Sequence, residues 1–360
     1  MKFMKDDQQE CLKKLYSVPQ FRLRGQRHIS TEIRGSRSMK ANAEDLFETL
    51  LQDKNLGLSI GNDEALEYDR ISFGIPQLDN ITNGGIPKKR FTLIYGGWSS
   101  GKSYLCTKLC ENVQKENGTV LWVDTEQSWD SEWMTQCGLD TNKVLLKVPE
   151  NAEDAYNTMA AGMEKGVDIV VLDSVAGLIP SEIIKQKDMF SYSPMAWQSR
   201  SWNQALIRLL PLLRNGSALV VINQVRGSMG PVAAIETMPG GKGQQFFAHG
   251  VLETRRGEYI KDNKNKRLGF NIITSLQKDK FGGTRWEQVE IPFRVEGGID
   301  ITETYLREAL DLGLITKSGA WYTSDFFGDE TIQGFDNLRL VAAANPESME
   351  KIVSAIQTRD

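Results

Sequence analysis

The chain's 360 residues suffice for one large α/β core plus a small domain, because single cores stop growing near ~250–300 residues. Hydrophobic content of 40% and charged content of 25% are those of a soluble globular protein, and no run approaches the ~20 apolar residues that span a bilayer. The start is polar with no apolar signal-peptide segment, so a cytoplasmic protein without a membrane partner is expected, and a net charge of −4 excludes a uniformly basic nucleic-acid binder while leaving local patches open.

Residues 1–40 carry ten Lys and Arg against four Asp and Glu, with weak hydrophobic periodicity. The stretch 1–38 reads as a basic, flexible extension in preference to a nucleic-acid-contacting arm, since a basic tail by its composition names no partner; Met39 offers an alternative start. Ala43 to Leu51 places apolar residues at helical spacing and predicts a short amphipathic helix within a segment spanning 39–65. A helix so far ahead of the core needs a surface to bury against, its own core or a neighbouring subunit.

The apolar strand Phe91-Thr92-Leu93-Ile94-Tyr95 runs into Gly96-Gly97-Trp98-Ser99-Ser100-Gly101-Lys102-Ser103, a complete G-x-x-x-x-G-K-[ST] phosphate loop, and a helix-compatible segment, Tyr104 to Cys110, follows. Such a loop turns backbone N–H groups onto phosphate oxygens, and the helix adds the positive end of its dipole. Lys102 is expected to reach the β- and γ-phosphates of ATP, and Ser103 to ligate Mg²⁺. Cys106 and Cys110 share one face of the helix; with Cys11 and Cys137 they are expected to be reduced, without zinc or disulfide roles. Only His28 and His249 are present, which pushes catalysis toward carboxylates, lysines and a metal ion.

Beyond the loop, Thr119–Asp124, Val167–Asp173 and Ala218–Asn223 are long apolar runs with helical segments between them. Runs of that kind predict parallel strands buried on both faces, hence an α/β fold with a mostly parallel, doubly wound sheet. Ligands of such sheets bind beyond the carboxyl ends of the strands. Asp173 there fits a Walker B carboxylate for Mg²⁺, Glu126 a group that polarises the attacking water, and Gln224 a sensor of the γ-phosphate. Near the C-terminus, Thr304–Gly313 and Glu347–Thr358 predict helices and Gly319–Tyr322 a hairpin, giving a small α/β domain over 301–360.

These separated motifs resemble the RecA family of DNA recombinases, of the bacterial and bacteriophage type, from about Ala43 to the C-terminus. Asp124-Thr125-Glu126-Gln127-Ser128-Trp129-Asp130 resembles the family's D-x-E-x-x-x-D, Leu172-Asp173-Ser174-Val175-Ala176 its V-D-S-V-A, Ile222-Asn223-Gln224-Val225-Arg226 its I-N-Q-I-R, and Gly319-Ala320-Trp321-Tyr322 its G-A-W-Y. The resemblance implies a RecA-type P-loop ATPase core over 66–300, a polymerisation segment at 39–65, and a C-terminal domain that offers a secondary duplex-binding surface. It makes Glu126 the catalytic carboxylate, sets Asp130 and Trp133 beside the adenine, and lets Gln224 couple nucleotide state to DNA binding. Lys278 and Lys280 look like the paired lysines that reach the ATP of an adjacent subunit, so that hydrolysis depends on assembly.

DNA binding is expected in two loops. The first, Glu182 to Gln198, holds Met195 as the inserting residue, with Arg200 just beyond it as a phosphate contact. The second, Arg226 to Phe247, ends in Gly240-Gly241 and Phe246, matching the family's G-G…F. Loops this long inside a compact domain are usually functional, and glycine N–H groups hold phosphates without reading bases.

The chain also departs from the family pattern. Trp98 stands where an acidic residue is usual, Gly97 replaces a proline, and Trp133 replaces a tyrosine while keeping a stacking surface. Residues 191–197 differ from the usual first loop, and no acidic tail follows Asp360, which implies less restrained duplex capture and leans toward a phage-encoded member. The implied activity is that of a DNA-dependent ATPase and homologous recombinase, which forms helical filaments on single-stranded DNA and exchanges strands with duplex DNA in recombination, repair and the DNA damage response. Single-strand-binding and loader proteins would be its further partners. A hexameric helicase would bring a separate N-terminal domain and a trans-acting arginine, and a regulatory ATPase would lack Glu126 or the DNA loops.

Overall fold

A computed structural model describes residues 43–61, 69–186, 194–225, 238–262, 264–280, 282–284, 286–328 and 331–358. The basic extension 1–38 and Arg226 lie outside the described residues. The chain divides after Asp63 into two compact units, each described by itself.

In the first unit, helix α1 (Ala43–Gln52) is the amphipathic helix expected, opened by Glu44 and Asp45 where carboxylates complement the helix dipole. None of its residues is buried, and Leu46, Phe47 and Leu50 face solvent. Leu56, Leu58 and Ile60 are exposed as well.

The second unit opens with β1 (Arg70–Ile71), α2 (Pro76–Ile81) and β2 (Ile86–Pro87). Its centre is a nine-stranded sheet in the order β11-β10-β9-β8-β3-β7-β6-β4-β5. The strands are β3 (Phe91–Gly96), β4 (Val120–Asp124), β5 (Val144–Lys147), β6 (Ile169–Asp173), β7 (Ala218–Gln224), β8 (Gly250–Lys261), β9 (Arg267–Asp279), β10 (Gln288–Arg294) and β11 (Gly298–Ile299). All pairings from β8 to β5 are parallel, and β8 to β11 are antiparallel. The mostly parallel α/β class is therefore as expected. Strands β4 and β6 are buried at every position, as their unbroken apolar runs require.

Helices cover both faces of the sheet. Leu105 and Leu109 of α3 (Lys102–Lys115) and Met134 of α4 (Ser131–Gln136) belong to one core, together with Trp122, Ile222 and Ile291. Met159 and Met163 of α5 (Ala152–Glu164) join Leu93 and Val170 in the other. A third cluster, around Leu306, Tyr322, Leu338 and Ile352, lies among α9 (Ile301–Asp311), the small sheet β12 (Thr316–Ser318), β13 (Trp321–Thr323) and β14 (Ile332–Gln333), and helices α10 (Phe335–Ala343) and α11 (Pro346–Gln357). Arg294 fastens this region to β10 by donating to Asp300 at 2.7 Å and Glu303 at 2.8 Å. Among the described residues no helix is long and apolar enough to cross a membrane.

The loop expectations need correction. Helices α6 (Ser181–Ile184) and α7 (Pro194–Leu212) occupy both ends of the stretch expected to be the first loop, so Met195 and Arg200 belong to a helix. Pro194 explains the early start: its fixed φ suits the first helical position, and its missing N–H is not needed there. The last residues of the second stretch form the short helix α8 (Gly243–Phe247). Strand β5, a short apolar run of Val144, Leu145 and Leu146 absent from the sequence expectations, closes one edge of the sheet and is only partly covered.

Trp122 is fully buried in β4, the strand that delivers the Asp124–Glu126 turn. Trp122→Ala is expected to lower unfolding stability by about 3–5 kcal/mol, read from the denaturant midpoint at unchanged slope.

Candidate functional site

Strand β3 delivers the phosphate loop, and Gly101 turns it into α3 with φ 92°. A Cβ at Gly101 would overlap the side chain of Ile272 on β9, so only glycine lets the loop lie this close to the sheet. The first N–H groups of α3 have no intrahelical partners and, with the helix dipole, make an anion site. Lys102 is buried and folds back, its Nζ donating to the Gly97 carbonyl at 2.7 Å and the Gly96 carbonyl at 3.3 Å. Burial lowers its pKa, while Asp173 and Glu126 pull it up.

The strand register brings the remaining groups to the same edge. Gly96 is level with Gln224, and Asp124 with Asp173. Asp124, itself buried, accepts from the N–H groups of Glu126 (3.0 Å), Ser128 (2.8 Å) and Trp129 (2.8 Å), and so shapes the turn that carries Glu126. Glu126 Oε1 accepts from Gln224 Nε2 at 2.6 Å and from the Ser174 hydroxyl. Ser103 Oγ donates to Asp173 Oδ2 at 2.8 Å. Burial pushes the Asp173 carboxyl up to about 7; the Ser103 hydroxyl and Lys102 oppose this, and Glu126 and Asp124 add to it. A carboxylate that ionises reluctantly beside a hydroxyl lacks a positive charge, and a divalent cation supplies one. The donor set thus fits Mg²⁺ with a nucleotide triphosphate.

An open cavity of about 470 Å³ lies against the loop, lined by Ser99 to Ser103, Trp133, Met134, Asp173 and Phe270. Trp133 thus lies on the cavity wall. Asp130 is not on the wall; it caps α4, its Oδ1 accepting from the N–H groups of Glu132 and Trp133. A second cavity of about 470 Å³, lined in part by Gln77, Glu287 and Glu308, contains none of the residues singled out from the sequence.

Other residues lie away from the cavity. Lys278 and Asp279 pair with Val251 and Gly250, and Gly250 is level with Thr92, four residues down β3 from Gly96. At ~3.3 Å per residue this sets the lysine pair roughly 13 Å from the loop, at the opposite end of the strands. Lys278 Nζ donates to the carbonyls of Gln245 (2.6 Å) and Phe246 (3.1 Å), and Lys280 is exposed. Burial and the nearby Lys280, Arg90 and Lys278 push His249 down to about 4, so it is neutral at pH 7. Phe246 is 78% exposed. Arg200 is exposed, with its guanidinium 5.8 Å from the Trp197 ring, whereas Gly240 is buried and Gly241 half-buried.

Sequence reasoning missed Arg256, which donates to the Ser99 carbonyl at 3.1 and 3.2 Å and lies 5.1 Å from the rings of both Trp98 and Phe270. Trp98 is 79% exposed beside it. The β3–β8 register is the only signal for this contact, since Thr254 is level with Gly96. Ser174 and Asp124 enter the sequence reading only as members of motifs, with no role of their own.

Asp173 binds its proton more tightly in the folded chain, with a pKa of about 7 against an ordinary 3.8, so its ionisation opposes folding as pH rises through that window. Without Mg²⁺ or nucleotide, Asp173→Asn is expected to match the parent near pH 4 and to exceed it by up to about 4 kcal/mol near pH 8 in denaturant unfolding. Equal stabilities at the higher pH would contradict the buried-charge account.

The RecA N-terminal domain family model matches residues 51–300. Similar proteins include Protein RecA of Aquifex pyrophilus, 32% identical over 298 residues, covering 80% of this chain and 82% of that one. Protein RecA of Acidothermus cellulolyticus is 31% identical over 306 residues, covering 84% and 87%. Protein RecA of Frankia casuarinae is 31% identical over 315 residues, covering 85% and 90%. With the phosphate loop and the three strand-end residues gathered on one edge of such a sheet, the chain belongs to the RecA family.

Proposed function

We propose that the protein is an ATP-dependent homologous recombinase, which assembles into filaments on single-stranded DNA and exchanges strands with a homologous duplex. The observation that carries this reading is the 2.6 Å hydrogen bond from Gln224 to Glu126. It joins the carboxylate at the nucleotide site to the end of the strand that leads toward Gly240, Gly241 and Phe246.

On this reading the backbone from Gly96 to Ser103 and the Lys102 ammonium hold the phosphates of ATP, with Trp133 stacking on the base. Mg²⁺ held by Ser103 and Asp173 would neutralise charge on the transferred phosphoryl group. Glu126 takes the proton of the attacking water, and the Gln224 amide and Ser174 hydroxyl hold its carboxylate in place. Lys278 and Lys280, at the far end of the strands, belong to the site of the next copy. The exposed Leu46, Phe47 and Leu50 of α1 support the polymerisation segment. Met195, Arg200, Arg226 and Phe246 are the side chains assigned to DNA.

Lys102→Ala is expected to abolish binding of a fluorescent ATP analogue. Glu126→Gln should bind nucleotide and single-stranded DNA within about threefold of the parent yet lose about 100-fold or more of its ATP turnover, as removal of a general base does. Parent-like turnover would remove Glu126 from its role. Electron microscopy on single-stranded DNA with Mg²⁺ and a slowly hydrolysed ATP analogue should show helical filaments that are absent without nucleotide. Closed rings would indicate a helicase, and bare DNA a regulatory ATPase.

A further inference from the structure

Gln244 is a wholly buried amide in the first turn of α8, and both ends of its side chain are fully engaged. Its Nε2 donates to the carbonyls of Pro239 at 2.7 Å and Gly241 at 3.0 Å. Its Oε1 accepts from Asn223 Nδ2 at 3.0 Å and Trp202 Nε1 at 3.3 Å. Asn223, also wholly buried, donates to the Pro239 carbonyl at 2.8 Å and accepts from the Gln224 N–H at 2.8 Å. Gln224 in turn holds Glu126. Gly240 completes the packing with φ 79°, and a Cβ there would press on the Trp202 indole and Val175.

One amide therefore clasps three elements that the proposed function separates: the strand end that contacts Glu126, the segment bearing Gly240, Gly241 and Phe246, and the helix bearing Met195 and Arg200. A buried network of this kind behaves as a unit, because each partner left unpaired loses a full hydrogen bond in a low-dielectric interior. A shift of Gln224 with the charge at Glu126 moves Asn223, and Asn223 cannot move without releasing Gln244 or carrying it along. We infer that Gln244 is the positioning residue that transmits nucleotide state from Gln224 to the DNA-facing residues of both segments. This rests on the recombinase reading.

The test compares Gln244→Leu with the parent full-length protein, measuring affinity for single-stranded DNA in the presence of Mg²⁺ with either a slowly hydrolysed ATP analogue or ADP. The ratio of the two affinities is the readout, and couplings between sites are typically about 5–150-fold. The parent is expected to fall in that range and Gln244→Leu within about twofold of unity, with affinity for the nucleotide alone unchanged. A purely structural role would lower the melting temperature and weaken DNA binding equally with both nucleotides, leaving the ratio intact; that result overturns the inference. Trp202→Phe, which removes a single donor and keeps a ring, decides the matter if Gln244→Leu does not fold: a reduced ratio supports the clasp, and a parent-like ratio overturns it. A parent ratio of one would instead defeat the recombinase reading itself.

Discussion

Everything at this site depends on six strands running the same way. Parallel pairing from β8 to β5 puts the carboxyl ends of β3, β4, β6 and β7 on one edge, and the register within it sets Gly96 beside Gln224 and Asp124 beside Asp173. Residues far apart in sequence then meet within hydrogen-bond reach without any long side chain having to search for its partner. The antiparallel return through β9 sends the chain the other way, which is why Lys278 and Lys280 cannot join that edge.

The same edge concentrates charge at an energetic disadvantage. Asp124, Asp173 and Glu126 crowd together, and among the described residues Lys102 opposes them from within a largely buried setting. Neutral donors relieve part of the strain: Ser103, Ser174 and Gln224 each give a hydrogen bond to a carboxylate. What remains is a site more comfortable with a polyanion and a divalent cation than without them, the form of local instability expected where binding must do work.

The phosphate loop and the three strand ends were legible because their spacing is local, and an apolar run that stops at a carboxylate is a signal in itself. The fold class followed from the same runs. Arg256 was not legible, because it reaches Ser99 from 157 residues away through the β3–β8 register, which no composition reveals. Gln244 was hidden for a related reason: its partners are two carbonyls, an amide and an indole from three elements, and a polar residue amid glycines looks like loop. The helix from Pro194 shortens the stretch expected as the first loop, since proline, common in loops, is also a favoured helix opener. Asp130, expected beside the adenine, caps the helix that carries Trp133, a contact set by its local spacing.

The opposed placement of the phosphate loop and the lysine pair bears on length. Under the proposed function, copies joined head to tail, each lending its lysines to the next, would make an interface whose two sides differ, and such contacts extend indefinitely unless a ring happens to close. In an open row of n copies only n − 1 sites would be complete, and the copy at one end would keep a loop without its lysines. Turnover per copy would then rise with row length, steeply for the shortest rows and hardly at all for long ones. The protein would thereby count its neighbours, and a solitary copy would hold its nucleotide without consuming it.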